Sequence, residues 1–107
     1  MLKTIDNCIY HTRGDTGTVA FAPTVDGVLI EKYTATFTAK KTFDDDVPVL
    51  QKTVDAGMVT FEHDDTNKLA YGTYVYDIEV QYTDAYGKAQ VKTFGPYNYY
   101  VMPDVTR

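Results

Sequence analysis

The sequence predicts an all-β protein, an Ig-like antiparallel β-sandwich of seven or eight strands with one short helical turn. Three observations carry this reading. After Gly72, the residues Tyr74, Tyr76, Ile78, Val80 and Tyr82 alternate with Val75, Asp77, Glu79 and Gln81, the period-2 pattern of a strand with one buried face. The composition is 44% hydrophobic with 10 Tyr, 5 Phe and no Trp, and recurring Thr and Val complete a residue set that suits pleated, half-buried surfaces. Turn residues interrupt the apolar runs at roughly the 8–12-residue spacing of a sandwich. A length of 107 residues gives one domain, 1–107, with a single core.

In chain order, Ile9–Arg13 reads as a first strand and Gly14–Gly17 as the turn before a second, Thr18–Pro23. Asp26-Gly27 is a further turn signal, and Pro23 is tolerable only at a strand end or edge. Tyr33 to Lys41 alternates again, with Tyr33, Ala35, Phe37 and Ala39 inward and a ladder of Thr34, Thr36 and Thr38 outward. Asp44-Asp45-Asp46-Val47-Pro48 breaks the pattern. Val49–Val54, the Asp55-Ala56-Gly57 turn and Met58–Glu62 then read as a β-hairpin, with Val59 and Phe61 inward. The helical turn falls at His63–Leu69, where Asp64 or Asp65 is placed to cap it, and it serves as a corner between strands of different sheets.

Tyr74 follows this corner at the start of the long strand. That is the position of a tyrosine corner, whose hydroxyl bonds back to the connecting backbone. Asp84–Lys88 is a hairpin loop. The last segment, Ala89–Met102, is interrupted at Gly95-Pro96, which signals a bulge or a change of sheet. The predicted core is Phe21, Ala35, Phe37, Leu50, Val59, Phe61, Leu69, Tyr74, Tyr76, Ile78, Val80 and Val91.

Charge and chemistry narrow the function classes. A net charge of −5 argues against nucleic acid, which demands clustered Lys and Arg. No stretch approaches the roughly 18 apolar residues of a membrane span, and the amino terminus lacks an apolar signal core; no membrane association and no general export are expected. The single cysteine, Cys8, cannot form an internal disulfide, so synthesis in a reducing cytoplasm fits. His11 and His63 lack partners at ligand spacing, so no zinc site is expected. Asp44, Asp45, Asp46 and Asp55 lack the glycine and distal acid of a calcium loop and read as a solvated tip. Alternation places Cys8 and His11 on opposite strand faces, and no nucleophile, phosphate-loop or paired-carboxylate motif is present. The expectation is therefore no catalytic residues, no cofactor and no enzyme.

What remains is aromatic. Tyr82, Tyr86, Tyr97, Tyr99 and Tyr100 are the candidate interface residues, because tyrosine is favoured where a ring is half apolar and half wet. The competing structural reading places Tyr97 and Tyr99 in the core and Tyr100 on the outer face.

Several segments carry a resemblance. They are Arg13-Gly14-Asp15-Thr16 at a strand-to-turn position, Ala35-Thr36-Phe37-Thr38-Ala39-Lys40-Lys41, Asp64-Asp65-Thr66-Asn67-Lys68-Leu69, Gly72-Thr73-Tyr74-Val75-Tyr76-Asp77-Ile78 and the ending Met102-Pro103-Asp104-Val105-Thr106. In this order they resemble small phage and prophage proteins similar to the N-terminal β-sandwich domain of the baseplate upper protein of siphophages that infect Gram-positive bacteria. The resemblance implies a virion structural protein of tail or baseplate type. Such a protein is made in the host cytoplasm, located in the virion, and joined to other virion proteins or to copies of itself. It also implies that Arg13-Gly14-Asp15 is turn chemistry rather than an integrin ligand. The alternative is an adhesive or carbohydrate-binding β-sandwich module that uses Tyr86, Tyr97 or Tyr100 as a stacking platform.

Overall fold

A computed structural model describes residues 1–104; the end of the last resemblance segment, Val105-Thr106, lies outside them. The described chain is mostly β, with ten strands and one short helical turn. In order these are β1 (Leu2–Ile5), β2 (Cys8–Thr12), β3 (Gly17–Ala20), β4 (Thr24–Val25), β5 (Val28–Leu29), β6 (Tyr33–Lys40), β7 (Leu50–Thr53), β8 (Met58–Phe61), α1 (His63–Thr66), β9 (Gly72–Thr83) and β10 (Ala89–Met102). Six form one sheet in the order β1-β2-β10-β9-β6-β7, while β3-β8 and β4-β5 form two-stranded ribbons.

The two strands with the cleanest alternation are the centre of the sheet. β6 and β9 pair antiparallel, Ala35 opposite Val80 and Phe37 opposite Ile78. Their inward residues are buried: Phe37 and Val80 are fully covered, as are all but a few per cent of Ala35, Tyr74 and Ile78. The β3–β8 ribbon supplies the opposing layer. Phe61 from β8 stands edge-on to Phe37 at 5.5 Å and to Tyr99 at 6.0 Å, the arrangement that aromatic quadrupoles favour. The tyrosine corner is present, with the Tyr74 hydroxyl donating to the Ala70 carbonyl at 2.7 Å.

Several expectations are corrected. The sheet is mixed, because β2 runs parallel to the second half of β10, with Tyr10 beside Tyr100. β2 lies between β10 and β1, a strand that its short mixed sequence concealed. Val49–Glu62 is not a hairpin: β7 pairs with β6 and β8 with β3, joined only by an Asp55–Met58 bridge. The turn at Ala56 and Gly57, both at positive φ, lifts the chain from sheet to ribbon, so that both apolar faces meet across the core. Likewise β2 and β3, separated by one turn, lie in different layers. The ten strands exceed the seven or eight expected by β1 and the small β4–β5 hairpin.

The α1 cap also differs. Glu62 occupies the cap position, and the Asp65 carboxylate accepts its backbone N–H at 2.7 Å. As expected, α1 is the corner between the ribbon and the main sheet. Val91 is 64% exposed, because Phe94 opposite Ile78 fixes the phase of the first half of β10 and leaves Val91 opposite outward Gln81. Phe21 and Leu69 are half-buried at the margin of the core.

Gly95-Pro96 is a bulge within one strand. The register shifts between Phe94 and Tyr97, so that Phe94 before it and Tyr97, Tyr99 and Val101 after it all face inward. Gly95 has φ +125°, and a Cβ there would lie 2.9 Å from the Tyr76 carbonyl oxygen. Only glycine fits that close approach.

Candidate functional site

The five candidate tyrosines do not form one cluster. Tyr99 is 1% exposed and belongs to the core rather than to a surface. Its O–H donates to His11 Nδ1 at 2.6 Å, while His11 Nε2–H donates to the Asp15 carbonyl at 2.7 Å, an assignment fixed by the carbonyl being acceptor-only. Burial pushes the Tyr99 phenol up. Burial likewise lowers His11 to about 4, helped by the N-terminal ammonium and opposed by Asp65. Tyr97 is half-buried against Tyr76 at 5.5 Å, and Tyr100 stacks on Tyr10 at 4.9 Å on the outer face of the sheet.

Tyr82 and Tyr86 mark a different place. They stand at the end of the molecule where β9 turns into β10, beside the β4–β5 hairpin. Asp26 and Gly27 both have positive φ, 52° and 78°, the two-residue turn whose twist suits adjoining strands. That hairpin holds Val28 and Leu29 out into solvent, 69% and 53% exposed. Its anchors are Lys92 Nζ, which donates to the Thr24 carbonyl at 3.2 Å, and Ile30 N–H, which donates to the Pro23 carbonyl at 2.9 Å.

The facing loop is built around Asp84. Its carboxylate accepts the backbone N–H groups of Tyr86 and Lys88, both at 2.9 Å, and the Gln90 amide at 3.0 Å. The Lys88 hydrogen bond is the main reason its acidity is raised, with pKa below the ordinary aspartate value. The loop is thus fixed by its own side chain while it presents Tyr86, 90% exposed. Between the two hairpins runs a groove of about 530 Å³ with Val25, Val28, Leu29, Ile30 and Tyr82 in its walls and Glu31, Lys32 and Asp84 at its rim. The groove thus sets aliphatic and aromatic side chains beside charged ones. Sequence reading found Tyr82 and Tyr86 but missed Val25, Val28, Leu29 and Ile30. The signal was available in Asp26-Gly27 flanked by these aliphatics.

The Arg13-Gly14-Asp15 turn at the opposite end is occupied by the chain itself. Arg13 pairs with Asp104 at 3.2 Å and lies over the Tyr71 ring at 4.3 Å. Gly14 N–H donates to Thr66 Oγ1 at 2.8 Å, and its carbonyl accepts from His63 Nδ1 at 2.8 Å. Asp15 binds the N-terminal ammonium. Cys8 and His11 lie on opposite faces of β2. Among the described residues no three His, Cys, Asp or Glu side chains gather as a metal site; Asp45 instead accepts the Thr42 N–H at 3.2 Å.

In comparisons with known proteins, no family model, no curated protein and no solved structure matches the chain.

Proposed function

We propose that the chain is an Ig-like β-sandwich subunit of a phage or prophage virion, of tail or baseplate type, that acts through protein–protein contacts and not catalysis. The observation that carries the contact role is the apolar end formed by Val28, Leu29 and Tyr86 on the internally braced tips of the β4–β5 and β9–β10 hairpins. Exposed aliphatics on a rigid support lose little side-chain and loop entropy when a partner covers them. The virion assignment rests on the resemblance of the ordered segments from Arg13 to Asp104. The Arg13–Asp15 turn supports it, since all three residues serve the fold as that resemblance implies. Within a virion, repeated copies around a symmetry axis are the expected arrangement.

The test is peptide mass spectrometry of density-purified particles from the induced source strain. A stoichiometric, ring-like copy number supports the reading. Absence from otherwise complete particles removes it and promotes the adhesive module, for which the exposed Tyr86 ring is the stacking candidate.

A further inference from the structure

We propose that the cleft between the β3–β8 ribbon and the main sheet is a binding site for a small, uncharged, aromatic molecule. The site follows from the fold. Six strands at about 4.8 Å spacing present a face roughly 25 Å wide, and a two-stranded ribbon covers less than half of it. Where cover runs out beside β3, a cavity of about 270 Å³ remains.

Its floor is the core itself, Ile9, Phe37, Val59 and Ile78, each no more than 5% exposed. Rings make the walls. Phe94 meets Phe21 edge-on at 5.4 Å, and Tyr97 leans on Tyr76 at 5.5 Å. Tyr76 is pinned in turn, its hydroxyl donating to the Asn7 carbonyl at 2.5 Å. The walls are therefore held in place before anything binds.

Two properties define the occupant. The chain is 23% charged, yet none of the residues lining the cavity carries a charge. An ionic ligand would lose its hydration there, and the Lys92 ammonium beside the site is already engaged by the Thr24 carbonyl at 3.2 Å and the Phe94 ring. The volume, about 270 Å³, is roughly twice that of an engineered apolar cavity of about 150 Å³ in another protein that stays dry and admits benzene. One or two fused rings fit it. Thr4, Asn7 and Thr24 at the margin leave room for one polar substituent such as an indole N–H. The site adjoins the base of the β4–β5 hairpin through Thr24 but not the groove at its tip, and it does not rest on the virion reading.

The test is a titration of the full chain with indole, followed by NMR. We expect saturable shifts centred on Ile9, Val59 and Ile78, with a dissociation constant of about 0.1–1 mM, the range a single buried ring supports. Thr4→Phe, opposite Ile9 and so on the inward face of β1, and Ala22→Phe each place a ring at the mouth, at exposed positions that tolerate it. Each should weaken binding about tenfold or more by occupying the space, with the rest of the spectrum unchanged. Two blocking variants keep the test decisive if one misfolds. Shifts that never saturate, shifts centred on Val28 and Leu29, or undiminished affinity in the folded blocking variants would overturn the proposal.

Discussion

At the end of the sheet where Thr12 N–H meets the Met1 carbonyl and Arg13 N–H meets that of Met102, the polar groups are turned inward upon one another. His11, Arg13, Gly14, Asp15, His63 and Thr66 are joined by hydrogen bonds or ion pairs to other parts of the chain. The opposite end of this 52 Å long molecule is organised differently. There the backbone is paired within each hairpin, but the side chains of Val28, Leu29 and Tyr86 are left in water. Bonded polar groups at the closed end hold the layers together. Uncovered apolar groups at the open end add nothing to the isolated fold and gain free energy only when something covers them. The contrast separates residues that stabilise the fold from residues that are left free for the contact proposed above.

The largest effect belongs to the closed half. Phe61 is fully buried and touches His11, Phe37 and Tyr99 with its ring, so it joins the ribbon to three strands of the main sheet. Phe61→Ala should cost about 3–5 kcal/mol, as loss of a large buried ring does through transfer and cavity terms. Urea melts measure it. A cost below about 1 kcal/mol would mean that the ribbon is not the cover of this core and that the comparison between the ends is misplaced.

A smaller effect depends on pH. His11 sits between one donor and one acceptor, Tyr99 O–H and the Asp15 carbonyl. A second ring proton would oppose the Tyr99 hydroxyl in a site that shuts water out. With the folded value lowered to about 4 from 6.5, the unfolded chain binds more protons between those limits, so stability rises with pH there. The contribution is complete above the unfolded value and is lost as pH falls toward the folded one. From pH 6.5 to 5 the wild type should lose on the order of 2 kcal/mol more than His11→Gln, since each unit corresponds to about 1.4 kcal/mol. The difference between the two slopes cancels what the carboxylates contribute. Parallel slopes would show that His11 titrates freely and that the closed end is open to solvent.

The sequence was legible where one residue pattern had one physical explanation. Alternation in β6 and β9 gave strands, faces and burial together, and Asp84–Lys88 could only be a loop. Tyr74 was readable because Gly72 and the preceding corner placed it. Layer membership was less accessible. The Asp55-Ala56-Gly57 turn has the same composition whether it closes a hairpin or carries the chain to another layer. The choice is made by Val59 and Phe61 meeting Phe37 and Tyr99, contacts distant in sequence. Val91 shows the same limit, since its face was set by Phe94 and the Gly95 bulge rather than by its own hydrophobicity. Of the candidate site, the tyrosines were visible and their grouping was not. Tyr99 and Tyr100 are neighbours in the chain, but alternation sends one to the core and the other to the outer face.

The smallest effect on stability should come from the open end, and it sharpens the contrast most. Leu29 is 53% exposed and pairs only with Thr24 across a two-residue hairpin. Leu29→Asp should therefore change the unfolding free energy by no more than about 0.5 kcal/mol, the usual range for a surface substitution. The same change places a carboxylate in the groove that Tyr82 also lines, where a partner's apolar surface would have to desolvate it. If the chain is the virion subunit proposed above, particles produced with this variant in place of the wild-type chain should contain it at well below stoichiometric amounts, although the purified variant melts as the wild type does. Full incorporation would move the contact away from this end. A stability loss comparable to that of Phe61→Ala would show instead that Leu29 supports the fold and that the two ends do not divide the work as described.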